Sequence, residues 1–171
     1  GRSASHIALE CALQTQPNVT LIGEEIAAQN RTLRELADSI CAIIVDRAAR
    51  GMNYGMVLIP EGVVEFIPEM HALIAELNDT MADYEAVFNS LSSYEEKRQW
   101  LRTYLSEASF CTLSSLPDTI AAQFLGQRDP HGNVQVSLIE TEKLLSTMVA
   151  QKLEKMKKEG KYTGKFSAQH N

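Results

Sequence analysis

Apolar positions change rhythm along the chain. Residues 3–16 carry them at 7, 8, 9, 11, 12 and 13, a helical spacing with one strongly apolar side, ended by Pro17-Asn18. Residues 19–25, "VTLIGEE", form a short β-branched run closed by Gly23 and predict a strand. Thr32 and Glu35 have capping-box spacing, in which a hydroxyl caps free helix N–H groups and a glutamate reaches back. Leu33, Leu36, Ala37, Ile40, Ile44 and Ala48 then make one helical face, and Gly51 supplies the stop. Residues 55–60, "GMVLIP", predict a second strand. Strand, helix, strand at this spacing predicts a βαβ unit with two parallel neighbouring strands.

After Pro68 the rhythm is helical. Met70, Leu73, Ile74, Leu77, Met81 and Tyr84 fall on one stripe, with Pro68 tolerated in the first turn. Ser92 and Ser93 precede Glu95 and Glu96 as two overlapping capping boxes before "KRQWLRTYL". A short helix is predicted from about Pro117 to Leu125, stopped by Gly126. "QRDPHGNVQV" reads as a turn followed by a short extended piece. Ser137 with Glu140 is expected to cap a long last helix, whose lysine-rich end complements the helix dipole. The expected organisation is an α/β zone over 1–67, an all-helical zone over 68–160, and a return segment over 161–171. Two or three strands do not complete a doubly wound domain. The chain also starts "GRSASH" and stops at "SAQHN", neither of which reads as a natural terminus. A piece of a longer protein is therefore expected.

Composition adds limits. The chain has 171 residues, 44% hydrophobic and 22% charged, ordinary values for a soluble globular protein. The formal net charge of −6 disfavours nucleic acid and anionic membrane surfaces as partners. No apolar run is long enough to span a bilayer, and no signal-peptide pattern is visible. Cys11, Cys41 and Cys111 lack zinc-site spacing. Cys11 and Cys41, each within an apolar helical pattern, read as buried free thiols suited to a reducing, cytoplasmic setting.

Two candidates point to the end of an open α/β sheet where ligands bind. Glu61 lies just past the second predicted strand, in Pro60-Glu61-Gly62, and a carboxylate there accepts hydrogen bonds from sugar hydroxyls. Gly1-Arg2-Ser3 precedes the first helix, where free N–H groups attract anions and an arginine adds a bidentate fork for phosphate. Together they could hold a sugar phosphate. Other features carry less. Glu24-Glu25 reads as a solvated loop, and His6 as a packing residue at a helix start. His71, His131 and His170 are scattered, and Trp100 with Tyr104 reads as core. There is no phosphate-cradling glycine motif and no nucleophile–base arrangement, so no catalytic residue and no metal ligand is assigned.

The pieces that remain are similar to one family. "GRSASHIALECAL" at 1–13 resembles the Met-Gly-Arg-x-Ala-Ser-His signature of the long, plant- and protist-type pyrophosphate-dependent phosphofructokinases. "LIGEE" at 21–25, "LIPEG" at 58–62 and "EFIPE" at 65–69 resemble it in the same order. "RDPHGNVQVSLIETEKLL" at 128–145 and "KFSAQHN" at 165–171 resemble its helical insert and the return from it. The resemblance implies a partial Rossmann-like half-domain with an inserted all-helical subdomain. It implies reversible, Mg²⁺-dependent phosphoryl transfer from pyrophosphate to the 1-hydroxyl of fructose 6-phosphate, in a homo- or hetero-oligomer. It places Gly1, Arg2 and Glu61 on substrate-binding positions. The family's Gly-Gly-Asp-Asp, Thr-Ile-Asp and Gly-Tyr-Glu-Gly-Arg elements are missing, and Asp118-Thr119-Ile120 does not replace the second. Metal ligands and base are thus expected outside the chain, which alone should be inactive. Three other readings stay open: a piece of a non-catalytic regulatory subunit, a piece of an ATP-using relative, or a helical interaction module binding a partner through residues 70–84.

Overall fold

A computed structural model describes residues 6–126 and 128–170, apart from the side chain of His6. Helices predominate: α1 (His6–Thr15), α2 (Gly23–Ala28), α3 (Leu33–Ala49), α4 (Pro68–Ser90), α5 (Tyr94–Leu101), α6 (Glu107–Ser115), α7 (Asp118–Phe124) and α8 (Thr141–Lys158). Between them lie β1 (Val19–Thr20) and β2 (Val57–Leu58), which pair in parallel with Val19 opposite Val57 and Thr20 opposite Leu58. The predicted parallel pairing is therefore present.

The first strand is shorter than expected, and Gly23 does not close it. Gly23 opens α2, whose first turn carries Glu24 and Glu25. Carboxylates there face the positive end of the helix dipole, which explains why "GEE" folds as a helix start instead of a solvated loop.

The α3 signals are local and appear as read. Thr32 Oγ1 accepts from the Glu35 N–H at 3.2 Å, and Glu35 Oε2 accepts from the Thr32 N–H at 2.9 Å. Glu69 of α4 adds an acceptor for the Leu33 N–H at 2.7 Å. Gly51 leaves the helix at φ 78°. Thr32→Ala should cost about 1 kcal/mol, read as a lower urea midpoint with unchanged slope.

Leu33, Leu36, Ala37, Ile40 and Cys41 are buried on α3, which packs against α8. Met70, Leu73, Ile74, Leu77 and Met81 bury the stripe of α4. One hydrophobic cluster runs through both sets and through Phe124, Leu144, Leu145 and Val149. Cys41 lies inside it. Its thiol donates to the Val149 carbonyl at 3.7 Å, and burial pushes its pKa up to about 11, so it stays a thiol.

Several expectations are corrected. Cys11 is exposed, because the apolar side of α1 is open: Ile7, Leu9 and Leu13 are 57%, 47% and 74% exposed. Tyr84 departs from the α4 stripe. Its backbone leaves helical geometry at φ −131° and ψ 19°, and its half-exposed ring meets Trp100 and Tyr104. Trp100 is only partly buried and Tyr104 is exposed, so this aromatic cluster caps the core and does not sit within it. Ser93 and Glu96 form a capping box, but Ser92 also bonds to Glu96, so the second box is absent. Helix α6, in "EASFCTLSS", is an element beyond those the sequence predicts. Ser137 lies in a short 3-10 turn and does not cap α8. The N-cap residue is Glu140, whose N–H donates to Gln123 Oε1 of α7 at 2.9 Å while Gln123 donates back to its carboxylate.

Candidate functional site

Glu61 sits at the carboxyl end of β2. Pro60 fixes the approach, and Gly62 takes φ 75°, a left-handed conformation that disfavours any side chain. The chain then enters a 3-10 turn, Val63–Phe66. Val63 N–H donates to the Pro60 carbonyl at 3.2 Å, Glu65 N–H to Gly62 at 3.1 Å, and Ile67 N–H to Val64 at 3.3 Å. Val63, Val64 and Ile67 are buried, so the turn is anchored from below. The Glu61 side chain faces solvent and has no hydrogen bond or ion pair among the described residues. A fixed backbone with an unengaged carboxylate is an arrangement that can accept hydrogen bonds from hydroxyls.

Glu61 borders an open groove of about 830 Å³. Its far wall comes from the start of α8 and the irregular residues 165–170, with Lys165 and His170 contributing charge and hydrogen-bonding capacity. His170 Nε2 lies 3.4 Å from Ser146 Oγ on α8. Nearby Glu140 is held below the usual glutamate range, first by the hydrogen bond from Lys143, then by that from Gln123. Residues 165–170 carry no periodicity or turn signal, so no residue-level pattern marked them as a wall of this groove.

Gly1 and Arg2 lie outside the described residues, so only Glu61 of the three predicted substrate residues is placed. His71 bonds the Glu65 carbonyl through Nδ1 at 3.1 Å, the backbone of His131 donates to Asp129 at 2.9 Å, and neither approaches Glu61 as a partner. Among the described residues, no three His, Cys, Asp or Glu side chains converge as a metal site. The donor set among the described residues does not fit a resident Mg²⁺. No described helix is long and apolar enough to cross a membrane.

No family model matches the chain. Individual relatives do. The chain is 54% identical over 168 residues to the pyrophosphate–fructose 6-phosphate 1-phosphotransferase of Treponema pallidum, covering 98% of the chain and 29% of the relative. It is 50% identical over 169 residues to subunit beta 1 of the Arabidopsis thaliana protein of that name, covering 99% and 28%. With the Arabidopsis subunit alpha 2 the identity is 39% over 165 residues, covering 96% and 25%. The chain thus matches a segment of these longer proteins and spans under a third of their length.

Proposed function

We propose that this chain, homologous along nearly its whole length to a segment of the pyrophosphate–fructose 6-phosphate 1-phosphotransferases, is the sugar-phosphate side of such an enzyme. The observation that carries the reading is the 54% identity over 98% of the chain to a relative named for that activity. The parent protein transfers a phosphoryl group from pyrophosphate to fructose 6-phosphate. The paired strands are the edge of its Rossmann-like α/β domain over 1–67. Residues 68–160 are its helical insert, and 161–171 return toward the rest of that domain. Mg²⁺, when bound in the parent, neutralises charge on the transferring phosphates; its ligands lie outside this chain. Relatives named as alpha and beta subunits support an assembly of several subunits.

Glu61 accepts hydrogen bonds from sugar hydroxyls, and Gly1 and Arg2 contribute backbone N–H and guanidinium to the phosphorylated substrate. Phosphoryl transfer needs donor, metal, base and acceptor positioned together. This chain supplies part of the acceptor site alone, so it does not turn over by itself. The name of the Treponema relative carries no subunit designation, which favours the enzyme over an accessory subunit.

One assay tests the reading. The parent protein and this chain are each given fructose 6-phosphate, Mg²⁺ and either pyrophosphate or ATP. Turnover by the parent with pyrophosphate and none by the chain is the expected result. Turnover with ATP alone would reassign the donor, and an inactive parent would favour a regulatory subunit. In the parent, Glu61→Ala should raise the fructose 6-phosphate KM about tenfold, the loss of roughly one charged hydrogen bond. An unchanged KM would refute the role.

A further inference from the structure

The turn that carries Glu61 is pressed from one side by α2. Gly23, the first residue of α2, is buried. A Cβ at that position would lie 2.5 Å from Phe66 Cδ2, 2.7 Å from Cε2 and 2.7 Å from Cγ. Such distances are far inside van der Waals contact, so not even alanine fits without movement. Gly23 is not among the residues with positive φ. Space, and not backbone conformation, therefore requires glycine here. Cγ is the root of the ring, so swinging the ring tip away does not relieve the clash.

Phe66 is the last residue of the 3-10 turn that follows Glu61. The hydrogen bonds of that turn reach back to the Pro60 and Gly62 carbonyls on either side of Glu61. On the other flank, Leu21 donates its N–H to the Leu58 carbonyl at 2.9 Å, tying the end of β1 to the end of β2. The start of α2 is thereby registered against the strand that delivers Glu61. A push on Phe66 is passed through the turn to the Glu61 backbone.

We infer that Gly23 and Phe66 are a positioning pair: their close contact sets where the Glu61 carboxylate meets the sugar phosphate. The inference rests on the reading of Glu61 as the sugar-binding carboxylate. A small displacement of such a group costs affinity, because hydrogen bonds to the sugar hydroxyls weaken steeply as their geometry departs from the preferred distance and angle.

The test uses the full-length parent enzyme and steady-state kinetics with pyrophosphate. Gly23→Ala should raise the fructose 6-phosphate KM about fivefold while kcat stays within about twofold. Phe66→Ala should raise KM about threefold by freeing the turn, and the double variant should be no worse than Phe66→Ala alone, because both act through one contact. A purely structural role would instead lower kcat through loss of folded enzyme and leave KM unchanged. If Gly23→Ala does not fold, the Phe66→Ala KM decides alone. Glu61→Ala is measured beside them. If it raises KM and the pair variants do not, the positioning inference is overturned and the Glu61 reading stands. If the pair variants raise KM and Glu61→Ala does not, both are overturned. A crystal structure of the Gly23→Ala enzyme should show the 60–66 backbone displaced, and an unmoved turn would also overturn it.

Discussion

Leu36→Ala should lower the unfolding free energy of the chain by about 2–5 kcal/mol, the range for deleting a fully buried leucine side chain. Leu36 is 0% exposed on α3, the helix that packs against α8 and faces the cluster shared by α4 and α7. The loss combines removed apolar burial with a cavity that the surrounding helices close only in part. Leu13 provides the contrast. It is the same residue type in a helix, but 74% exposed on α1. Leu13→Ala should stay within about 0.5 kcal/mol, as surface substitutions do. Urea unfolding of both variants, at unchanged slope, reads the difference. Equal costs would mean that α3 and α8 do not pack as described.

That contrast shows what the sequence made legible. Signals carried by near neighbours were readable: the Thr32–Glu35 and Ser93–Glu96 boxes, Pro68 at a helix start, and Gly51 at a helix end. The parallel pairing of the two strands followed from their order and spacing. Signals set by distant residues were not readable. Gly23 looked like a strand breaker, and only the Phe66 ring, brought in by the fold, shows why it is glycine. Helix α6 has no clear apolar period, and its start is held by Glu76 of α4. The end of α8 was visible in its lysines, but its start depends on Gln123 of another helix. Cys11 was misplaced because an apolar pattern shows that a face seeks cover, not that this chain supplies it. At the site, Pro60 and Gly62 marked Glu61 as the end of a strand, while the opposite wall at 165–170 carries no local mark.

Glu76→Ala should cost about 2–3 kcal/mol at neutral pH, the second large effect expected. Its carboxylate accepts three hydrogen bonds at the start of α6. They come from the Ser106 N–H at 2.7 Å, the Ser106 hydroxyl at 2.7 Å and the Ser109 hydroxyl at 2.8 Å. Hydrogen bonds to a charged group are each worth about 1.5–3 kcal/mol, but water can replace part of this in a half-exposed site, so the sum is not simply additive. Burial alone would raise the Glu76 pKa; the bonds from Ser106 and Ser109 outweigh it and hold the carboxyl below its ordinary value of 4.5. The sign follows. A folded-state pKa below the unfolded one gives stability that is fully present above the ordinary value and is lost as pH falls through the folded one. The gap between the native chain and Glu76→Ala should therefore be widest at neutral pH and shrink as the pH is taken below 4.5. Glu76→Gln keeps the shape but weakens acceptance, so its cost should lie between the two and vary less with pH. Urea midpoints for the three proteins across this range make the measurement. A gap that does not narrow in acid would show that Glu76 joins α4 to α6 by packing alone, without its charge.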